Sequence, residues 1–140
     1  MSSSTKSAFT GRYDTIPGLY STIDLSAAQF KVVMMLSTTP GQIKLAGTSV
    51  IARSAFVLQN APKGTSTLPV NAEVANFGIV KAIAGTSLIK SGDKLGVNTT
   101  SYVVNTTTTN RFIIGSAMGN SSTIGDIIPV LLEGGGGSLY

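Results

Sequence analysis

A chain of 140 residues in which 42% are hydrophobic and only 11% charged builds one domain with a core of its own and a largely uncharged surface. The net charge of +4 comes from 10 basic and 6 acidic residues spread along the chain, with no basic block to track a phosphate backbone, so no nucleic-acid partner is expected. The absence of His, Cys and Trp removes the commonest general base, the thiol nucleophile and most zinc ligand sets, and the expectation is a chain with no enzymatic activity, no cofactor and no metal.

Residues 1–23 are polar and turn-rich, with Phe9, Tyr13, Leu19 and Tyr20 as apolar anchors among Ser, Thr and Gly, and they read as an extended N-terminal arm. They lack the apolar stretch that directs export. Between Asp24 and Phe30, Asp24 or Ser26 can cap a single helical turn, the one helical signal in the chain. From Phe30 onward, segments rich in Val, Ile and Thr alternate with breakers. They predict strands over 30–37, 42–46, 49–59, 67–75, 78–83, 94–98, 101–105, 111–118 and 126–132. Pro40-Gly41, Ala61-Pro62-Lys63-Gly64, Ser91-Gly92-Asp93 and Ser121-Ser122 supply the connections.

Short strands at this spacing predict an all-β domain over 24–133, a small β-barrel or β-sandwich, followed by a Gly-rich C-terminal tail over 134–140. The longest apolar runs, Val32 to Leu36 and the Pro-interrupted Ile127 to Leu132, fall far short of the ~20 residues that span a bilayer. No membrane partner is expected. Ser and Thr together fill 34 positions, giving a hydroxyl-rich surface suited to dense packing against neighbours.

Few groups in this chain are equipped for chemistry. Ser87, Lys90, Ser91 and Lys94 lie close enough for a Ser-Lys pair, which needs a desolvated lysine. Ser91-Gly92-Asp93 has a simpler role as a turn, with Gly at positive φ and the Asp side chain bonded to nearby backbone. The acids Asp14, Asp24, Glu73, Asp93, Asp126 and Glu133 are too widely spaced to form a local catalytic pair or a calcium loop. Gly134 to Gly137 lacks the lysine and following helix of a phosphate loop. Asn98, Asn105 and Asn120 each open a glycosylation-like triplet, read as coincidental in a chain so rich in Thr and Ser. An offset of 60 residues sets Leu58, Asn60, Leu68, Pro69 and Val70 against Met118, Asn120, Ile128, Pro129 and Val130, a resemblance between turn-strand phrases rather than a repeat.

An ordered series of phrases is more informative than any one of them. It runs Asp24-Leu25-Ser26-Ala27, Phe56-Val57-Leu58-Gln59-Asn60-Ala61-Pro62, Gly78-Ile79-Val80-Lys81-Ala82 with Ala84-Gly85, Ser91-Gly92-Asp93-Lys94-Leu95, Ile114-Gly115-Ser116-Ala117 and Gly125-Asp126-Ile127-Ile128-Pro129-Val130. Over residues 24 to 132 this resembles the capsid decoration (cement) proteins of tailed bacteriophages. The resemblance implies a β-tulip-like domain that binds the outer surface of the expanded head. It implies the major capsid protein and further copies of itself, as a homotrimer, as partners, a place on the virion surface after assembly in the host cytoplasm, and no catalysis.

On that reading Lys6, Phe9, Arg12, Tyr13 and Tyr20 are the candidate capsid contacts, and Phe56, Leu139 and Tyr140 the candidate subunit interface. Phe56 stands where the resemblance leads one to expect a glycine, and the arm is longer than the pattern needs. Two other classes stay open at this point: a carbohydrate- or host-binding β-module of a tail or fibre, using loops near Thr106 to Asn110, and a small Ser-Lys hydrolase.

Overall fold

The computed structural model describes residues 12–47, 55–106, 112–133 and 138–139. It is all-β, with no helix among the described residues. The strands are β1 (Arg12–Thr15), β2 (Tyr20–Ser21), β3 (Val32–Met35), β4 (Ile43–Leu45), β5 (Phe56–Leu58), β6 (Val70–Asn71), β7 (Val74–Ile83), β8 (Lys94–Val97), β9 (Val103–Asn105), β10 (Phe112–Ile113), β11 (Gly115–Ala117), β12 (Ile127–Leu132) and β13 (Ser138–Leu139). A curled antiparallel sheet runs β4-β3-β5-β7-β12-β11-β8-β9, with β1 added along β7. Curling brings its ends together: Val32 N donates to Ser101 O at 2.8 Å, and Gly47 N to Ser101 Oγ at 2.9 Å.

Alternation of side chains along the strands sets the inside of this half-barrel. Val80, Ala82, Ile128, Val130, Leu132, Ala117 and Leu95 point into one core cluster, which Val32 and Met34 of β3 and Val103 of β9 complete from the sheet ends. A second cluster gathers Leu19, Leu25, Ala28, Val33, Ile43, Phe56, Leu58, Ala72 and Val74 on the far side of β3 and β5.

Each of the nine expected strands overlaps an observed one, and the differences have local causes. Residues 49–54 of the third lie outside the described residues. The expected break after Ala75 moves back to Ala72-Glu73, because β1 pairs with Phe77 and Gly78 and β12 with Gly78, which keeps both in the ladder although Gly78 takes φ +103°. The expected helical turn is a chain of turns instead. Asp24 Oδ1 accepts hydrogen bonds from Ser26 N and Ser26 Oγ, Ala28 N donates to Leu25 O, and Phe30 takes φ +70°, which no helix continues. Phe30 is held there from both sides: its N–H donates to Leu58 O at 2.7 Å, and its carbonyl accepts from Ile83 N at 3.1 Å.

The boundary expected after residue 23 is corrected. Residues 12–21 belong to the domain: β1 lies along β7, β2 pairs with β6, Leu19 is buried, and Tyr20 N donates to Gly41 O at 2.9 Å. Any arm is confined to residues before Arg12. The C-terminal tail is also tied back, since β13 pairs with β10 in the register Phe112↔Leu139 and Ile113↔Ser138. The 60-residue echo does not correspond to a structural repeat, for Leu68 is exposed in a turn while Ile128 is buried in β12.

Pro129 sits inside β12 opposite Lys81 and has no N–H to give to a ladder. Its carbonyl faces β11 and accepts from Met118 N at 2.8 Å, while on the side of β7 away from β12 the Lys81 backbone is satisfied by the Gln59 side chain, whose Nε2 donates to Lys81 O at 3.0 Å and whose Oε1 accepts from Lys81 N at 3.4 Å. A buried amide thus stands in for a missing strand and blunts an edge that would otherwise pair with other chains.

Candidate interaction surface

Register places the outward side chains in rows, because directly opposed residues share a face of the sheet. One row is Lys94, Ser116, Leu131 and Ile79, crossing β8, β11, β12 and β7. Neighbouring rows pair Pro129 with Lys81, Ile127 with Ile83, and Phe77 with Asp14. The outward strip of β7 and β12 is therefore Phe77, Ile79, Ile83, Ile127 and Leu131. Ile127 is 54% exposed, Phe77 52% and Leu131 37%, while Ile79 and Ile83 are half-buried.

Lys81 interrupts this strip, with Nζ 5.7 Å from the centroid of the Phe30 ring, so its stem adds apolar surface while its charge rests over an aromatic face. A contiguous apolar strip of this kind on a small domain marks a surface that other molecules cover.

Further exposed hydrophobes stand on connections. Leu88 is 69% and Ile124 64% exposed, on two neighbouring loops bound together by Ser121. Ser121 Oγ donates to Thr86 O at 2.7 Å and accepts from Ile89 N at 3.1 Å. Asn98 organises its own loop, its Oδ1 accepting from Thr100 N, Thr100 Oγ1 and Tyr102 N. Asn120 Oδ1 accepts from Ser91 N at 2.7 Å. Two of the three glycosylation-like triplets therefore open with asparagines that fix turns.

The expected contact residues separate into three groups. Lys6, Phe9 and Tyr140 lie outside the described residues, and of Arg12 and Leu139 only the backbone is described. Tyr13 and Tyr20 turn toward their own domain. Tyr13 packs against the first core cluster and its hydroxyl donates to Glu73 Oε2, while the half-buried Tyr20 ring covers Gly41, where an added Cβ would lie 3.2 Å from Tyr20 Cε1. Phe56 is only 7% exposed, inside the second cluster, so its expected place at a subunit interface is corrected to a place in the core.

Burial, the hydrogen bond to Glu73 and the nearby Glu73 charge together push the Tyr13 hydroxyl up to about 12 from 10.0. A folded-state value above the unfolded one contributes stability in full below pH 10, and that stability is lost as pH rises toward 12. The stability advantage of the wild-type chain over Tyr13→Phe is therefore expected to hold steady to about pH 9 and to shrink above pH 10. Urea unfolding of both proteins across that range measures it. A gap that stayed constant to pH 12 would leave the Tyr13–Glu73 bond without a part in holding β1.

The serine and lysine cluster is a turn, as its sequence indicates. Gly92 takes φ +94°, Asp93 Oδ2 accepts from Lys90 N at 2.9 Å, and Asp93 N donates to Lys90 O at 2.9 Å. Ser87, Lys90 and Ser91 are exposed, whereas an activated lysine needs burial. Asp24 is held below the usual carboxylate range by the hydrogen bonds from Ser26. Among the described residues no three acidic, His or Cys side chains gather to hold a metal ion, and no helix is long and apolar enough to cross a membrane. The outward strip was missed in the sequence, although its signal was there: both parities of 77–83 and 127–132 are apolar. No family model, no curated protein and no solved structure matches this chain.

Proposed function

We propose that this chain is a structural protein of a phage virion that binds the outer surface of the expanded head and stabilises it by bridging major capsid protein subunits. The observation that carries the reading is the outward strip of β7 and β12, large apolar side chains left uncovered by a chain with few charges. The phrases that resemble cement proteins support it. Those from Phe56, Gly78, Ser91, Ile114 and Gly125 onward fall on β5, β7, β8, β11 and β12, which are bonded to one another as one continuous stretch of sheet.

The mechanism is avidity. Modest contacts to several coat subunits, linked through one oligomer of this chain, must all break together before any copy leaves. The oligomer is a homotrimer, and no nucleic acid, membrane, cofactor or catalytic step enters. Shell contact is assigned to the segment before β1, carrying Lys6 and Phe9, since Tyr13 and Tyr20 are engaged within the domain.

Sedimentation of purified protein with undecorated expanded heads tests this. Full-length protein is expected to pellet at a fixed saturating ratio, and a chain lacking residues 1–11, which keeps β1, is expected to stay in the supernatant. Absence of pelleting by folded full-length protein would overturn the reading and direct the search to glycan ligands.

A further inference from the structure

We infer that the outward surface where Phe30, Lys31, Lys81, Ile83 and Tyr102 meet is a docking site for an acidic and apolar peptide segment of a partner protein, its carboxylates held by the two lysines and its aliphatic side chains laid on Ile83. The site is read from the fold alone and goes beyond head binding. Its test uses free protein without heads, so its failure is separate from failure of shell binding.

Backbone contacts assemble the site from distant pieces of chain. The Phe30 carbonyl accepts from Ile83 N at 3.1 Å, Val32 N donates to Ser101 O at 2.8 Å, and Gly85 N donates to Val103 O at 2.7 Å. Lys81 and Ile83 alternate with the buried Val80, Ala82 and Ala84 and therefore face outward. Tyr102 sits over Gly85 on that same face, its Cβ 3.0 Å from where a Gly85 Cβ would stand. Each ring carries one ammonium: Lys81 Nζ lies 5.7 Å from the Phe30 centroid and Lys31 Nζ 5.2 Å from that of Tyr102.

Neither ammonium has a carboxylate partner among the described residues. Asp14 stands beside Phe77, at the other end of β7, and the Asp126 carboxylate is turned into its own loop, accepting from Ser122 N and Thr123 N. This end of the face therefore offers positive charge beside apolar surface and complements an anion with apolar neighbours. Backbone strain marks the same place. Phe30 and Ser101, the two non-glycine residues at positive φ among the described residues, stand at +70° and +67°, one within the site and the other next to Tyr102. Glycine at position 30 would adopt that φ without strain, so the phenylalanine is kept for its ring.

The chemistry selects among anionic partners. A sugar stacks on an open aromatic face, and here an ammonium already lies over each half-buried ring. A nucleic-acid strand needs an extended basic track, which two lysines do not supply. A peptide meets both parts of the site, with acidic side chains on Lys31 and Lys81 and aliphatic ones on Ile83 and on Ile127, its opposite in register.

Fluorescence polarisation of a labelled peptide of alternating leucine and glutamate, titrated with the full chain, reads the outcome. Binding is expected at low ionic strength, weakening with added salt, and a peptide with glutamine in place of glutamate is expected to bind about tenfold more weakly. Lys31→Gln and Lys81→Gln are each expected to weaken binding about threefold and together about tenfold, whereas Lys90→Gln, in the turn at Gly92, leaves it unchanged. Phe30→Gly is expected to weaken binding with an unchanged circular dichroism spectrum, because it removes the ring and relieves the strain together. Failure of the wild-type chain to bind the glutamate peptide overturns the inference. So does equal binding of the glutamine peptide, a double lysine variant that binds as wild type, a loss as large with Lys90→Gln, or a preference for polygalacturonate over the peptide, which would make the site one for an acidic glycan.

Discussion

Gly115→Ala is expected to destabilise the fold by about 3 kcal/mol, near the top of the range for overpacking a buried site. Gly115 lies in β11 between Leu132 of β12 and Leu95 of β8, and a Cβ there would collide with the Leu131 carbonyl oxygen and lie 3.2 Å from Leu132 Cα. The obstruction is strand backbone, which cannot rotate aside as a side chain can, so β11 and β12 must separate. Gly18→Ala isolates the other cost of losing a glycine: Gly18 has φ +83° and no atom within 4 Å of an added Cβ, so only the left-handed strain of about 1 kcal/mol applies. Urea unfolding of the two variants is expected to rank them in that order. Equal losses would show that crowding between β11 and β12 contributes nothing.

Leu58→Ala is expected to cost about 3 kcal/mol, the middle of the range for emptying a fully buried leucine site. Leu58 is 0% exposed and packs in the second cluster with Leu19, Leu25, Val33, Ile43 and Val74. That cluster joins the segment before β3 to β3, β4, β5 and β7. The cavity therefore weakens the attachment of residues 16–28 as well as the sheet, and amide exchange is expected to quicken first at Leu25, whose N–H donates to Pro62 O at 2.9 Å. Since a domain of this size holds only ~5–15 kcal/mol in total, either variant removes a large share of its stability. Loss of under 1 kcal/mol would mean that the second cluster is not a true core.

The strands from Val32 to Leu132 were legible because β-branched residues and turn breakers alternate at strand length. Gly92 was legible as a turn because Ser-Gly-Asp supplies both the positive φ and the side chain that caps it. What escaped was set by contacts distant in sequence. Arg12 to Thr15 reads as a polar segment with no strand pattern, yet it forms β1 because β7 offers a free edge from Ala75 to Ile79. Phe56, taken for a surface aromatic, is buried because the β3–β5 pairing turns it against Leu19 and Ile43.

The candidate surface was hidden by its own composition. Apolar residues on both parities of β7 and β12 look like strands buried on both faces, and a single chain of this size covers only one of them. Gln59 carries no local signal at all, since its part in satisfying Lys81 depends on a pairing 22 residues away.

Heat-induced release of packaged DNA tests most directly the proposed strengthening of an assembled shell by this chain. Filled heads lacking the protein are titrated with it and warmed in the presence of a DNA-binding dye. The release temperature is expected to climb with occupancy and to level off where binding saturates. Saturated heads that released their DNA at the same temperature as bare ones would contradict it.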